Sequence, residues 1–238
     1  MSADRTITLA EVAACDGISR RFDVPQRHGV SSTVLALDDV SLSIAAGRLV
    51  ALNGPSGSGK STLLAMLAAL DHPTSGTVTV QGTDVGALGR AARRRLRRTT
   101  AIMVLPQPAD NLLLARTGRR NLQTVAALRG VSAADTDHAI DELVARVGMR
   151  SFIDHPCGAM SGGEQQRLAV ACALMGSPAL VLADEPTGAL DATSAATVVE
   201  ALRAAVSGGA TIVVATHDPH VVAAADDVIR LDHGRRVE

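Results

Sequence analysis

Apolar and polar positions along this chain follow two periods, and the periods alternate. Leu49–Leu52, Leu180–Ala183 and Ala210–Ala215 are short runs with almost no polar interruption. They have the length of strands and are too apolar for a sheet with one wet face, so they predict buried parallel strands. Helical spacing fills the intervals. It covers Leu63–Leu70 and a stretch from about Thr117 to Gly148, where Ser132-Ala133-Ala134-Asp135 reads as a start signal and Gly148 as a stop. A helix after Ser161-Gly162-Gly163 runs through Ala173 and stops near Gly176, and another runs from an Asp191 cap to about Val206. Asp218-Pro219 reads as an N-cap followed by proline at the first helical position. A last strand, Val228–Leu231, precedes Asp232-His233-Gly234.

The N-terminal part has a different texture. Thr6–Leu9 and Val34–Ile44 alternate, as half-buried strands do, and Asp23–Thr33 between them reads as a polar loop. Thr77–Val80 is a strand after the turn Asp71–Gly76, and Ala101–Leu105 is an apolar run ending at Pro106-Gln107. Strands alternating with helices predict an α/β fold with a mainly parallel sheet. In such sheets ligands sit at the carboxyl ends of strands.

Composition narrows the class. With 238 residues and 47% hydrophobic content, the chain has ample material for a core. A net charge of −1 provides no general field for polyanions, so nucleic acid is not an expected partner. Cys15, Cys157 and Cys172 have no metal-ligand spacing and read as reduced thiols of a cytosolic protein. No secretory signal pattern opens the chain, and no apolar run reaches the roughly 18 residues that span a bilayer. The expectation is a soluble protein. Six arginines crowd into Arg90–Arg98: Arg90, Arg93, Arg94, Arg95, Arg97 and Arg98. They read either as a solvated helix face or as a contact for lipid headgroups or an acidic partner.

The chemistry begins at Gly54-Pro55-Ser56-Gly57-Ser58-Gly59-Lys60-Ser61-Thr62, between a predicted strand and a predicted helix. A glycine-rich turn before a buried helix is the bland reading. The sharper one is a phosphate-binding loop. Glycines let successive N–H groups converge on one point, and the helix start adds its positive dipole end. Lys60 is the only lysine in the chain, and it sits where a compact ammonium suits outer phosphates. The Ser61 hydroxyl suits Mg2+.

Asp184-Glu185 closes one apolar strand and His217 closes another. An acid at a strand end beside the loop is placed to hold Mg2+, and the next acid to polarise an attacking water. His217 and Gln107 are candidates for sensing the γ-phosphate or the cation; spacing alone leaves structural roles equally open.

Taken together, these motifs resemble the nucleotide-binding subunit of an ABC transporter over nearly the whole chain. Gly54–Thr62 matches Walker A, Gln107 the Q-loop glutamine, and Met160-Ser161-Gly162-Gly163-Glu164-Gln165-Gln166-Arg167 the signature. Ala179–Glu185 matches Walker B, Ala189-Leu190-Asp191 the D-loop, and His217 the switch histidine. The resemblance implies a P-loop NTPase core with an antiparallel β subdomain (about 1–87 and 166–238) and a helical subdomain (about 88–165) carrying the signature.

It further implies two subunits paired head to tail around two ATP molecules. Each nucleotide would be held by Gly54, Pro55, Ser56, Gly57, Ser58, Gly59, Lys60, Ser61 and Thr62 of one subunit and by Ser161, Gly162, Gly163 and Asp191 of the other. Mg2+ would sit on Ser61, Gln107 and Asp184. Catalysis would rest on Glu185, His217, Lys60 and Gln107, and Phe22 falls where the family usually stacks an aromatic on adenine.

The implied partners are a second copy and an integral membrane permease, on the cytoplasmic side of the membrane. The Asp184–Asp191 and Glu164–Arg167 runs are similar to the macrolide-export and lipoprotein-release branch. The alternative is a regulatory scaffold that signals through a membrane partner without transport. Three departures stand out: Pro106 for the aromatic before the Q-loop glutamine, Met160 for Leu, and Cys172 for an arginine of the signature helix. None removes a group from the catalytic chemistry, so an active ATPase is expected.

Overall fold

The computed structural model describes residues 10–25 and 31–237. The chain runs β1 (Glu11–Pro25), β2 (Ser31–Ala45), β3 (Leu49–Asn53), α1 (Lys60–Leu67), β4 (Ser75–Val80), β5 (Thr83–Asp84), α2 (Arg90–Thr99) and β6 (Ala101–Val104). It continues α3 (Gly118–Arg129), α4 (Ala133–Arg146), α5 (Gly162–Leu174), β7 (Leu180–Asp184), α6 (Ala192–Ser207), β8 (Ile212–Thr216), α7 (Pro219–Ala224), β9 (Asp227–Asp232) and β10 (Arg235–Val237).

A six-stranded sheet has the order β10-β9-β3-β8-β7-β6, parallel throughout except for the β9–β10 hairpin. A second, antiparallel sheet has the order β2-β1-β4-β5. The α/β fold with a mainly parallel sheet and an N-terminal antiparallel one is therefore as expected.

Register sets up the site. Asn53 pairs with Thr216, Asp184 with Ala215, and Val104 with Ala183. The carboxyl ends of β3, β8, β7 and β6 thus lie level and side by side, and the segments that follow leave the sheet along one edge.

Both faces of this sheet are buried, which explains the unbroken apolar runs. Leu180 and Leu182 pack with α1 and the antiparallel sheet, while Val181 and Ala183 pack with the helices from α3 onward. Successive strand residues point to opposite faces, so each run feeds two cores. Truncating Leu182, fully buried, to Ala would cost about 2–5 kcal/mol.

Several boundaries differ from expectation. The Thr6–Leu9 strand lies outside the described residues. Asp23–Thr33 is not simply a loop: Asp23 pairs with Thr33, Val24 with Ser32 and Pro25 with Ser31. Polar side chains on an exposed ribbon do not oppose backbone pairing, and the Thr33 hydroxyl donates to Asp23 Oδ1 at 3.1 Å. The long helical stretch is two helices. Gly130 ends α3 in a left-handed conformation, φ 78°, and the Ser132 hydroxyl accepts from Asp135 N to start α4. Residues 101–104 fall within the expected helical subdomain, yet β6 pairs with β7 and belongs to the sheet.

Cys172 does not leave the signature helix without a cation. From α3, Arg129 Nη1 donates to the carbonyls of Ala173 and Met175 at the C-terminal end of α5. Burial lowers its pKa to about 10, so it stays charged at neutral pH. A cation there complements the negative end of the helix dipole.

Candidate functional site

The loop after β3 is shaped by a backbone that few residues adopt. Gly59 sits at φ 100°, and a Cβ there would lie 2.5 Å from the Ala36 carbonyl oxygen. Only glycine lets the loop pass under β2 and turn directly into α1. Lys60 opens that helix and is 6% exposed. Its ammonium donates to the Gly54 carbonyl at 2.7 Å and the Pro55 carbonyl at 2.9 Å. An ammonium has three protons, so one donor remains beyond these two.

A cavity of about 770 Å³ opens at the level strand ends. The loop residues Pro55, Ser56, Gly57, Gly59, Lys60, Ser61 and Thr62 line one side, and Gln107, Glu185 and His217 line the other. Four consecutive strands of the sheet thus deliver the predicted phosphate loop, glutamine, acid and histidine to one space. Val34, Leu35 and Ala36 of β2 add an apolar ledge at its edge. That ledge had no signal of its own in the sequence, because its role depends on β2 crossing over the loop.

Glu185 is held in a costly conformation. It is a non-glycine residue at φ 45°, and such strain persists where surrounding contacts impose it. Its N–H donates to the Ala215 carbonyl at 2.9 Å. Its Oε1 lies 3.0 Å from His217 Nδ1, and its Oε2 accepts from the Thr216 hydroxyl at 3.3 Å. Thr216 Oγ1 in turn accepts from Asp218 N, and Asp218 Oδ2 accepts from the Thr187 hydroxyl at 2.7 Å. Asp218 also caps α7, as its sequence position indicates. Its second carboxylate oxygen, tied to Thr187, belongs to a supporting network that sequence reading missed. Thr187 and Thr216 carry no pattern of their own, and only the fold joins them.

Asp184 lies at the end of β7, almost fully buried. Burial raises its pKa; the adjacent Ser61 hydroxyl and Lys60 ammonium oppose that rise, and Glu185 adds to it. Its Oδ1 is buried without a hydrogen-bond partner. An orphaned carboxylate oxygen beside a serine hydroxyl fits a hard divalent cation that draws its other ligands from phosphate and water. Among the described residues, no cluster of three or more His, Cys, Asp or Glu is placed to hold a metal by itself.

Not every predicted residue lines this cavity. Gly54 and Ser58 lie within the loop, with Ser58 Oγ buried and unpartnered. Phe22 stands on β1 opposite Val34, one strand from the ledge. One face of its ring is covered by the Arg20 guanidinium at 4.3 Å. Arg20 is itself clamped by Asp71, with Nε to Oδ2 at 2.8 Å and Nη2 to Oδ1 at 2.9 Å.

Ser161, Gly162 and Gly163 are elsewhere. Ser161 and Gly162 are exposed at the start of α5, where Ser161 and Glu164 form a reciprocal capping box. Gly163 packs so closely on α6 that a Cβ would lie 2.8 Å from the Ser194 Cβ. Asp191 is exposed and caps α6, accepting from Ser194 N at 3.0 Å and from Ser194 Oγ at 2.7 Å. Those hydrogen bonds hold its carboxyl below the usual carboxylate range.

Comparison with known proteins agrees with this geometry. Residues 37–188 match the sequence profile of the ABC transporter family. The chain is 41% identical over 204 residues to the macrolide export ATP-binding/permease protein MacB of Salmonella choleraesuis, covering 86% of this chain and 31% of that protein. It is 39% identical over 236 residues to the protein of the same name from Rhodospirillum rubrum, covering 99% of this chain and 35% of that one. The chain thus spans about a third of the length of these curated relatives.

Among solved structures, a dimeric ATP-binding cassette in a post-hydrolysis state, bound to ADP and Pi, superposes with a TM-score of 0.81 at 29% identity. It is matched over 95% of this chain and 97% of that one. The cbiO1 protein of Clostridium perfringens, part of the ABC transporter complex cbiONQ, shares the fold, with a TM-score of 0.82 at 24% identity over 96% of this chain and 87% of that one. A profile match across more than half the chain, joined to a phosphate loop, an acid and a histidine on neighbouring strand ends, has one reading: the chain belongs to the ABC transporter family.

Proposed function

We propose that the chain is the ATP-hydrolysing subunit of an export-type ABC transporter, working as a head-to-tail pair on the cytoplasmic side of a membrane permease. The carrying observation is the single cavity that collects Lys60, Ser61, Gln107, Glu185 and His217 from four adjacent strand ends. Bound ATP and Mg2+ supply the transferable γ-phosphoryl and the charge that neutralises it.

The chain's own residues do the rest. The backbone N–H groups of the loop from Ser56 to Thr62, which includes the start of α1, cradle the phosphates, with the third Lys60 donor turned to the outer ones. Ser61, Asp184 and Gln107 would hold the cation. Glu185 accepts a proton from the attacking water, and His217 orients Glu185. Phe22, backed by Arg20, offers its other face to the base.

Ser161, Gly162, Gly163 and Asp191 do not line this cavity. They serve the partner's nucleotide instead, for which the exposed N-terminus of α5 provides N–H donors. The solved dimeric cassette supports this reading. The relatives named for both ATP binding and permease function support the membrane partner, and within the branch the lipoprotein-release type remains part of the proposal. We assign the core to about 1–87 and 166–238, with β6 added from the helical segment 88–165.

ATPase assays test the reading. Lys60→Ala abolishes Mg2+-dependent hydrolysis, and Glu185→Gln binds ATP and lingers as a dimer. Dimerisation of Glu185→Gln that ignores ATP on gel filtration counts against the sandwich. Reconstitution with the permease separates transport from pure signalling.

A further inference from the structure

The arginine helix α2 is built against its own stability. Gly89 provides no side-chain cap, the first turn holds no acid, and Arg90 stands at the positive end of the helix dipole. Arg90, Arg94 and Arg98 repeat at four-residue spacing, with Arg95 beside them. Like charges so spaced repel by about 0.2–0.5 kcal/mol per pair. From Val85 to Ala109 the chain has no Asp or Glu. Within the helix, only the negative dipole end beside Arg97 and Arg98 offsets the charge.

The six arginines divide by what they touch. Arg93 donates to the Leu88 and Gly86 carbonyls, and Arg97 donates to the Ala69 carbonyl at 2.6 Å. These two fasten the helix to the body, with Leu96 as its buried apolar anchor. Arg90, Arg94, Arg95 and Arg98 are exposed and have neither salt bridges nor side-chain hydrogen bonds among the described residues. With Ala91 they alone line a hollow of about 370 Å³.

We propose that this face binds the anionic headgroup plane of a lipid membrane. Its chemistry favours that occupant over an acidic protein segment. A specific protein contact centres on a packed, desolvated core in which Arg, where it occurs, is buried beside apolar or aromatic groups. This hollow has only arginine stems and one alanine, and both aromatics of the chain, Phe22 and Phe152, lie elsewhere. What it offers is positive charge along about 12 Å of helix, at 1.5 Å rise per residue. That spacing suits several separate phosphates in a plane, each met by a planar guanidinium. The stems snorkel along the surface and keep the heads outermost. The proposal does not rest on the nucleotide site.

Vesicle flotation of the purified chain tests it directly. The chain is expected to float with phosphatidylcholine vesicles containing about one third phosphatidylglycerol, and not with phosphatidylcholine alone. Raising salt from about 0.1 M to about 0.5 M releases it. Joint substitution of Arg90, Arg94, Arg95 and Arg98 to Gln lowers apparent affinity roughly a hundredfold or more, while the corresponding Lys set retains most of it. ATP binding by the Gln set reports that the fold is intact. Equal binding of the Gln set and the wild type to anionic vesicles overturns the proposal. So does a wild type that fails to float with anionic vesicles, including one that is instead captured by an acidic permease segment.

Discussion

The His217 imidazole and the Glu185 carboxylate share a hydrogen bond of 3.0 Å, Nδ1 to Oε1. Against a carboxylate, Nδ1 is the donor, which fixes the tautomer and leaves Nε2 unprotonated unless the ring is charged. His217 is the more exposed partner, with its side chain 73% accessible against 27% for Glu185. The acid is therefore the anchored member, held on its other oxygen by Thr216.

His217→Ala is expected to lower kcat about a hundredfold, since a general base is worth 10²–10⁴ and its orientation is part of that. KM for ATP should stay nearly constant, because His217 touches the base and not the phosphate loop. Steady-state rates with varied ATP decide this. A KM rise with unchanged kcat would assign His217 to binding instead.

The Arg20–Asp71 clamp predicts a split of a different kind. Arg20 covers one face of Phe22 and ties β1 to the segment after α1. Arg20→Ala should raise KM for ATP about three- to thirtyfold, the scale of a cation–π contact plus a fixed platform. Affinity for inorganic tripolyphosphate, which has no base, should not change. Parallel losses for both ligands would point to a general folding defect.

Asp226 gives the pH dependence its sign. Burial raises its carboxyl pKa, but the hydrogen bond from Leu49 N, Arg203 and Arg48 outweigh that and leave it lowered. A carboxylate lowered on folding stabilises the native state above its unfolded value, near 3.9, and the contribution fades as pH falls through the folded value. Asp226→Asn should therefore lower Tm at pH 7, with the gap closing below about pH 4. A gap that persists in acid would mean that packing, not charge, carries the effect.

Thiol chemistry should be silent in the native protein. Burial pushes Cys15 and Cys172 up to about 12 and raises Cys157 as well. All three are free and buried. Titration with an aromatic disulfide reagent at pH 8 should find no fast thiol, and three after denaturation. A rapidly labelled native thiol would reveal local opening of a core.

What the sequence determined by itself was local and chemical. Apolar runs of strand length with no wet face predicted parallel strands buried on both sides. A glycine loop carrying the sole lysine between a strand and a helix pointed to a phosphate cradle. Asp191, Asp218 and Ser132 were legible as helix caps because their partners lie within the next turn. Tertiary structure alone decided which strand ends are neighbours, since strand order joins residues more than a hundred positions apart and has no local signature. It brought Gln107, Glu185 and His217 across from Lys60 and left Ser161 outside that cavity. It extended a polar ribbon into paired strands, because backbone hydrogen bonds do not read side-chain polarity. It also recruited Thr216, Thr187 and Arg20, whose roles exist only through contacts with distant residues.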